Sequence, residues 1–190
     1  MTATESGHQE WVILVDQKDQ AIGLCEKLEA HQRNLLHRAF SVFIFQKDEH
    51  NEPKLLLQQR SLEKYHSAGL WTNTCCSHPR KDETVIKAGE RRLYEELGIA
   101  TELWDIGWFH YNAYFENGLS ENEIDHVLIG NVTPTIQIKA NPNEVHDYRW
   151  VSMTELKEEL LKSPSQFTPW FAKALDVVLS HIPEISGKVL

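Results

Sequence analysis

Apolar positions along this chain change period several times, and the changes mark its elements. Glu10-Trp-Val-Ile-Leu-Val15 is a short apolar run closed by the polar turn 16–20, which predicts a strand. Phe40-Ser-Val-Phe-Ile-Phe45 and Lys54-Leu-Leu-Leu-Gln-Gln-Arg60 predict two more strands, with polar residues 46–53 as the loop of a hairpin. No period stands out between residues 21 and 38, and that segment reads as irregular. From Glu83 to Leu97 the period becomes helical, because Ile86, Gly89, Leu93 and Leu97 recur three and four apart. Gly98 is placed to close this helix, and Asp82 or Thr84 to cap its start. Gly89 weakens a helix, so its presence there predicts a close approach of another part of the chain.

Beyond that helix, residues 104–115 and 121–132 have the aromatic and β-branched character of strands, joined through Glu116-Asn-Gly-Leu119. A short strand follows at 147–151 and a helix at 153–162. Thr168-Pro-Trp170 opens a last amphipathic helix to about Ser180, with Pro169 in its first turn. With no repeat, low-complexity tract or linker, the expectation is one α/β domain over residues 1–190, residues 1–9 being a loose tail.

Composition narrows the function classes. A hydrophobic fraction of 41% and a charged fraction of 25% are ordinary for a soluble protein, and no apolar run approaches a membrane span. Met1-Thr-Ala-Thr-Glu-Ser-Gly-His8 lacks the basic and apolar regions of a signal peptide, so a cytoplasmic location is expected. A net charge of −9 argues against nucleic acid as a partner. An anionic small molecule would instead need a few local cations or a metal. Three cysteines, two adjacent, make a poor disulfide framework and read as reduced.

Candidate chemistry gathers where Trp71-Thr-Asn-Thr-Cys-Cys-Ser-His-Pro79 leads into the charged helix. Arg60 and Lys64 sit where a strand gives way to a loop, a usual place for ligand groups. Arg92 and Glu96 share a helix face. Glu121 and Glu123 are two apart, so on a strand both point the same way.

Ser77, Glu83 and Arg91-Arg-Leu-Tyr-Glu95-Glu96-Leu-Gly98-Ile99 resemble the Nudix box, G-x5-E-x7-R-E-U-x-E-E-x-G-U with U a bulky apolar residue. Two positions depart from it: Ser77 stands for the leading Gly, and Arg92 for the Glu after Arg. Together with Lys27, His31, His37-Arg-Ala-Phe-Ser41, the Cys-Cys-Ser-His motif and Glu121-Asn-Glu123, the set resembles the type I isopentenyl-diphosphate isomerases of the Nudix superfamily, over most of the chain. The resemblance implies a Nudix-type α/β/α sandwich with a mixed central sheet flanked by helices. It also implies a 1,3-allylic proton shift between isopentenyl and dimethylallyl diphosphate through a tertiary carbocation, in isoprenoid precursor synthesis.

His31, His37, His78, Glu121 and Glu123 offer three imidazoles and two carboxylates from three segments, a set that suits Mn²⁺ or Mg²⁺, or an expanded Zn²⁺ site. The resemblance places a divalent metal on all five. It also implies that Cys76 is the catalytic thiol, with nearby cations stabilising its thiolate, and that Glu123 is its acid–base counterpart, assisted by Tyr111. Trp170 would face the carbocation, whereas Cys75 on a strand would point away from Cys76. Lys27, Arg60, Lys64, Ser77 and Arg92 would hold the diphosphate, with a second Mg²⁺ through Glu96 bridging its phosphates. Two rivals stand beside this reading: a Nudix hydrolase, and a catalytically silent module that binds metal or prenyl diphosphate.

Overall fold

The computed structural model describes residues 10–64 and 66–181; the expected tail at 1–9 lies outside them. Its strands form one mixed sheet organised on β3 (His37–Lys47). Eleven residues long, β3 reaches beyond the apolar run that announced it and takes different partners along its length. It pairs antiparallel with β1 (Trp11–Val15), β4 (Pro53–Arg60) and β6 (Cys75–Ser77), and parallel with β8 (Ser120–Asn131). Strand β8 forms a long antiparallel ribbon with β7 (Leu103–Tyr114), while β4 pairs with β5 (Trp71–Thr72) and β9 (Val145–Ser152).

Residues 21–38 correct the sequence reading. They hold strand β2 (Ala21–Glu26), paired with β1, and helix α1 (Lys27–Gln32) before β3 begins. Four of the six β2 side chains are exposed, so no alternation was visible, and α1 is too short to show a helical period. What starts α1 is local: the Glu26 carboxylate accepts from the backbone N–H groups of Leu28 and Glu29.

Each face of the sheet is covered. On one, α2 (Val85–Leu97) sets Ala88, Leu93 and Leu97 against Phe40, Val42, Ile44 and Leu128. Thr84 caps α2 and Gly98, at φ 66°, closes it by donating to the Tyr94 carbonyl. A Cβ at Gly89 would lie 2.6 Å from Leu128 Cδ1, the close approach that the sequence implied. On the other face, α3 (Met153–Lys162) and α4 (Phe171–Ser180) close over Phe43, Leu57 and Val127. Pro169 precedes α4 instead of lying in its first turn, and Trp170 takes the cap position. The layers are therefore helix, mixed sheet and helices, as expected. Among the described residues no helix is long and apolar enough to cross a membrane.

Candidate active site

Strand alternation assembles the site. On β3 and β6, Ser41 is paired with Cys76, and Val42 with Cys75. Cys75 consequently packs in the apolar layer under α2, whereas Cys76 lines a cleft of about 890 Å³. The same alternation on β8 sends Glu121, Glu123 and Asp125 to the cleft, and register pairs Glu123 with His37 on β3 and with Tyr111 on β7.

Four groups converge where His78 and Glu123 line the cleft. One ligand atom each from His31, His37, His78 and Glu123 lies within 4.8 Å of all the others. His31 Nδ1 donates to the Lys27 carbonyl at 2.6 Å, and His37 Nδ1 to the Leu35 carbonyl at 2.8 Å. Both rings are thereby held with Nε2 facing inward, and both Nε2 atoms are buried without a hydrogen-bond partner. Imidazoles oriented by carbonyls on one nitrogen, with the other bare, are the arrangement of metal ligands. Glu123 Oε1 lies 3.0 Å from His78 Nε2 and 3.3 Å from His37 Nε2. The donor set therefore fits a divalent cation.

Glu121, the fifth expected ligand, stands apart from this tetrad. Its Oε1 is 3.2 Å from Nε2 of His66, a residue that no sequence motif singled out, and its Oε2 is buried without a partner. Burial and the Glu123 charge hold the Glu121 carboxyl well above the usual carboxylate range. Burial acts on Glu123 in the same direction, but the adjacent imidazoles of His37 and His78 outweigh it and hold its carboxyl low. Burial also lowers His78 to about 4.

Cys76 meets two opposing influences. Arg60 Nη1 does approach its sulfur at 4.0 Å, yet burial, aided by Glu96, Asp125 and Glu121, pushes the thiol up to about 12.

Trp170 and Tyr111 are 4% and 3% exposed, with ring centroids 6.3 Å apart. Trp170 Nε1 donates to Asn73 Oδ1 at 3.3 Å, and the Arg60 guanidinium lies 5.4 Å from its ring. The Tyr111 hydroxyl is buried with no hydrogen-bond partner; burial and the carboxylates of Glu121 and Glu123 push it up.

Lys27, Arg60, Lys64, Ser77 and Arg92 all line the same cleft. The structure adds their carboxylate partners. Lys27 Nζ is 2.7 Å from Glu10, Lys64 pairs with Glu144, and Arg92 reaches Glu95, Glu96 and Glu144. Glu96 accepts from Arg92 at 2.6 Å and from Gln58 at 2.8 Å. Glu83 and Arg91 of the box form a two-pronged pair at 2.8 and 2.9 Å that ties the loop before α2 to the helix. Sequence reasoning missed Glu10, Gln58, His66, Asp125 and Glu144, each a single polar residue outside any motif.

Comparison with known proteins agrees with this geometry. The NUDIX domain family model matches residues 35–171. The isopentenyl-diphosphate Delta-isomerase of Aliivibrio fischeri is 45% identical over 181 residues, covering 93% of this chain and 99% of that protein. The isomerase of the same name from Photobacterium profundum is 48% identical over 176 residues, covering 92% and 97%. Among solved structures, DR0079 from Deinococcus radiodurans superposes with a TM-score of 0.60 at 16% identity, covering 81% of this chain and 90% of that one. The NUDIX domain of Shewanella oneidensis NrtR does so with 0.59 at 15%, covering 77% and 87%. These two likenesses show the fold, and the sequence relatives show the family. The chain belongs to the NUDIX family and, within it, to the isopentenyl-diphosphate Delta-isomerases.

Proposed function

We propose that Cys76 and Glu123 are the proton-transferring pair of an isomerase that interconverts isopentenyl and dimethylallyl diphosphate. The relatives carry the name of this reaction. The observation that supports the assignment is that both groups line one cleft, whose walls carry an aromatic ring, Trp170, together with the cations Lys27, Arg60, Lys64 and Arg92. That polarity matches a five-carbon alkene carrying a diphosphate.

A 1,3-allylic shift needs an acid at the terminal alkene carbon and a base at C2. Because the reaction is reversible, the group that acts as acid in one direction is the base in the other. Glu123 is oriented by His37 and His78, with Tyr111 its neighbour across the β7–β8 ladder. Cys76 stands on the β3–β6 side of the cleft. Trp170 and Tyr111 exclude water from the carbon skeleton, and the indole face can stabilise a tertiary carbocation by about 2 kcal/mol. Lys27, Arg60, Lys64, Ser77 and Arg92 hold the diphosphate, the arginines by paired N–H donors and the lysines as point charges.

His31, His37, His78 and Glu123, with Glu121 beside them, would hold Mn²⁺, Mg²⁺ or Zn²⁺. Such a cation would fix Glu123 and make a proton on its free oxygen more acidic. Glu96 would take a second Mg²⁺ together with the phosphates, using lone pairs left after its bonds to Arg92 and Gln58. The cytoplasm is the proposed location.

The rival in the same family is diphosphate hydrolysis, which depends on a full helix carboxylate cluster. Arg92 interrupts that cluster. Product analysis after incubation with isopentenyl diphosphate and Mg²⁺ separates the two: dimethylallyl diphosphate without released phosphate is expected, and phosphate release alone would favour the hydrolase. Cys76→Ala and Glu123→Gln should each abolish turnover while keeping diphosphate binding. A protein that bound diphosphate without converting it would be the silent module.

A further inference from the structure

Beside Glu121 stands His66, whose place is fixed from two sides. Its side chain is 6% exposed, and its ring stacks on Phe115 at 4.8 Å and 19°. It also meets Trp170 edge-on at 6.2 Å. These contacts set the ring plane and so the direction of Nε2, which lies 3.2 Å from Glu121 Oε1. This contact is on Oε1 alone, and Oε2 is buried without a partner. A buried carboxyl oxygen left bare is costly unless something binds it. Two residues along β8, Glu123 meets two further bare atoms, the Nε2 of His31 and of His37.

We infer that His66 is a positioning residue of the metal centre: it grips Glu121 by one oxygen and so presents the other to the cation as a fifth ligand. This rests on the reading of His31, His37, His78 and Glu123 as a divalent-metal site. The histidine acts through the carboxylate, the reverse of the common order in which a carboxylate orients a ligating histidine. His66 itself lies farther from the centre, its ring 6.4 Å from that of His31.

The test is Mn²⁺ binding to metal-stripped protein, followed by titration calorimetry and by electron paramagnetic resonance. His66→Phe keeps the aromatic stacking and removes the donor, with His66→Leu in reserve if the larger ring disturbs packing. Either should weaken Mn²⁺ binding roughly 10–100-fold, the usual effect of losing an orienting partner. His66→Gln, which keeps an N–H, should recover most of that loss. In a double-mutant cycle, His66→Phe added to Glu121→Gln should cost nothing further. Wild-type affinity in His66→Phe and His66→Leu, or a full additional loss in the double variant, would overturn the role. His37→Ala separates this from the underlying reading. If that variant binds Mn²⁺ as wild type does, the metal centre itself is wrong and the role of His66 falls with it. If it does not bind while His66→Phe binds tightly, only the role of His66 is wrong.

Discussion

Arg92 lies one helical turn before Glu96 and donates from Nη2 to its Oε1 at 2.6 Å. Glu96 is 3% exposed, so its charge is supported from within the protein, by Arg92 on one oxygen and Gln58 on the other. Burial opposes charge on Arg92 too, but Glu96 and Glu144 outweigh it and hold the guanidinium firmly protonated. The position that departs from the Nudix box thus holds its last carboxylate at the wall of the cleft.

Arg92→Ala should therefore cost about 3 kcal/mol of folding stability, because it strands a buried carboxylate. Urea unfolding measures this. The same variant should raise KM for isopentenyl diphosphate. Unchanged stability together with unchanged KM would show that the Arg92–Glu96 pair is a surface ornament of α2.

Loading the His31–His37–His78–Glu123 centre should stabilise the fold. At a metal concentration about 100 times Kd, linkage gives about 2.7 kcal/mol. Thermal unfolding with Mn²⁺ and with chelator should differ accordingly for the wild type, and the difference should vanish in His37→Ala. An equal shift in both proteins would place the metal elsewhere.

Away from the cleft, His126 sits between Asp105 and Asp19, at 2.7 and 2.9 Å. Burial works against its charge, but these two carboxylates prevail and raise its pKa above the ordinary 6.5. A raised folded pKa means that His126 binds its proton more tightly when folded. Its stabilisation is complete below about pH 6.5, the unfolded value, and is lost as pH rises through the folded one. The stability gap between wild type and His126→Gln, measured by urea unfolding, should accordingly shrink as pH increases past that range. A gap independent of pH would contradict the charged pair.

Trp170→Ala should lower kcat by roughly thirty-fold, the kinetic equivalent of about 2 kcal/mol of cation–π stabilisation. Trp170→Phe keeps a ring face and should lose much less, even though it removes the hydrogen bond to Asn73. Equal losses in the two variants would assign the role of Trp170 to that hydrogen bond.

Much of this was legible in the chain because residues with one task sit at strand or helix spacing. Glu121 and Glu123 share a face through the period of two, Cys75 and Cys76 part for the same reason, and Arg92 meets Glu96 through the turn of α2. The groups that sequence reasoning missed are joined only by tertiary structure. Glu144 lies in a polar turn that looks solvated. It reaches Lys64 and Arg92 because its carbonyl accepts from Ser61 N at 2.9 Å and Asn141 N donates to the Glu96 carbonyl at 2.8 Å. His66 lies in a loop with no period, and its partner Glu121 is on β8. Helix α1 escaped because six residues carry too little pattern, although it delivers His31.

The central claim is that Cys76 and Glu123 move protons to and from carbon within one cleft. Incubation with isopentenyl diphosphate and Mg²⁺ in deuterated water, followed by NMR of the product, tests it most directly. The account predicts dimethylallyl diphosphate carrying deuterium on the methyl carbon that was the terminal alkene carbon, and no product from Cys76→Ala or Glu123→Gln. Dimethylallyl diphosphate without label, or labelled product from either variant at the wild-type rate, would contradict it.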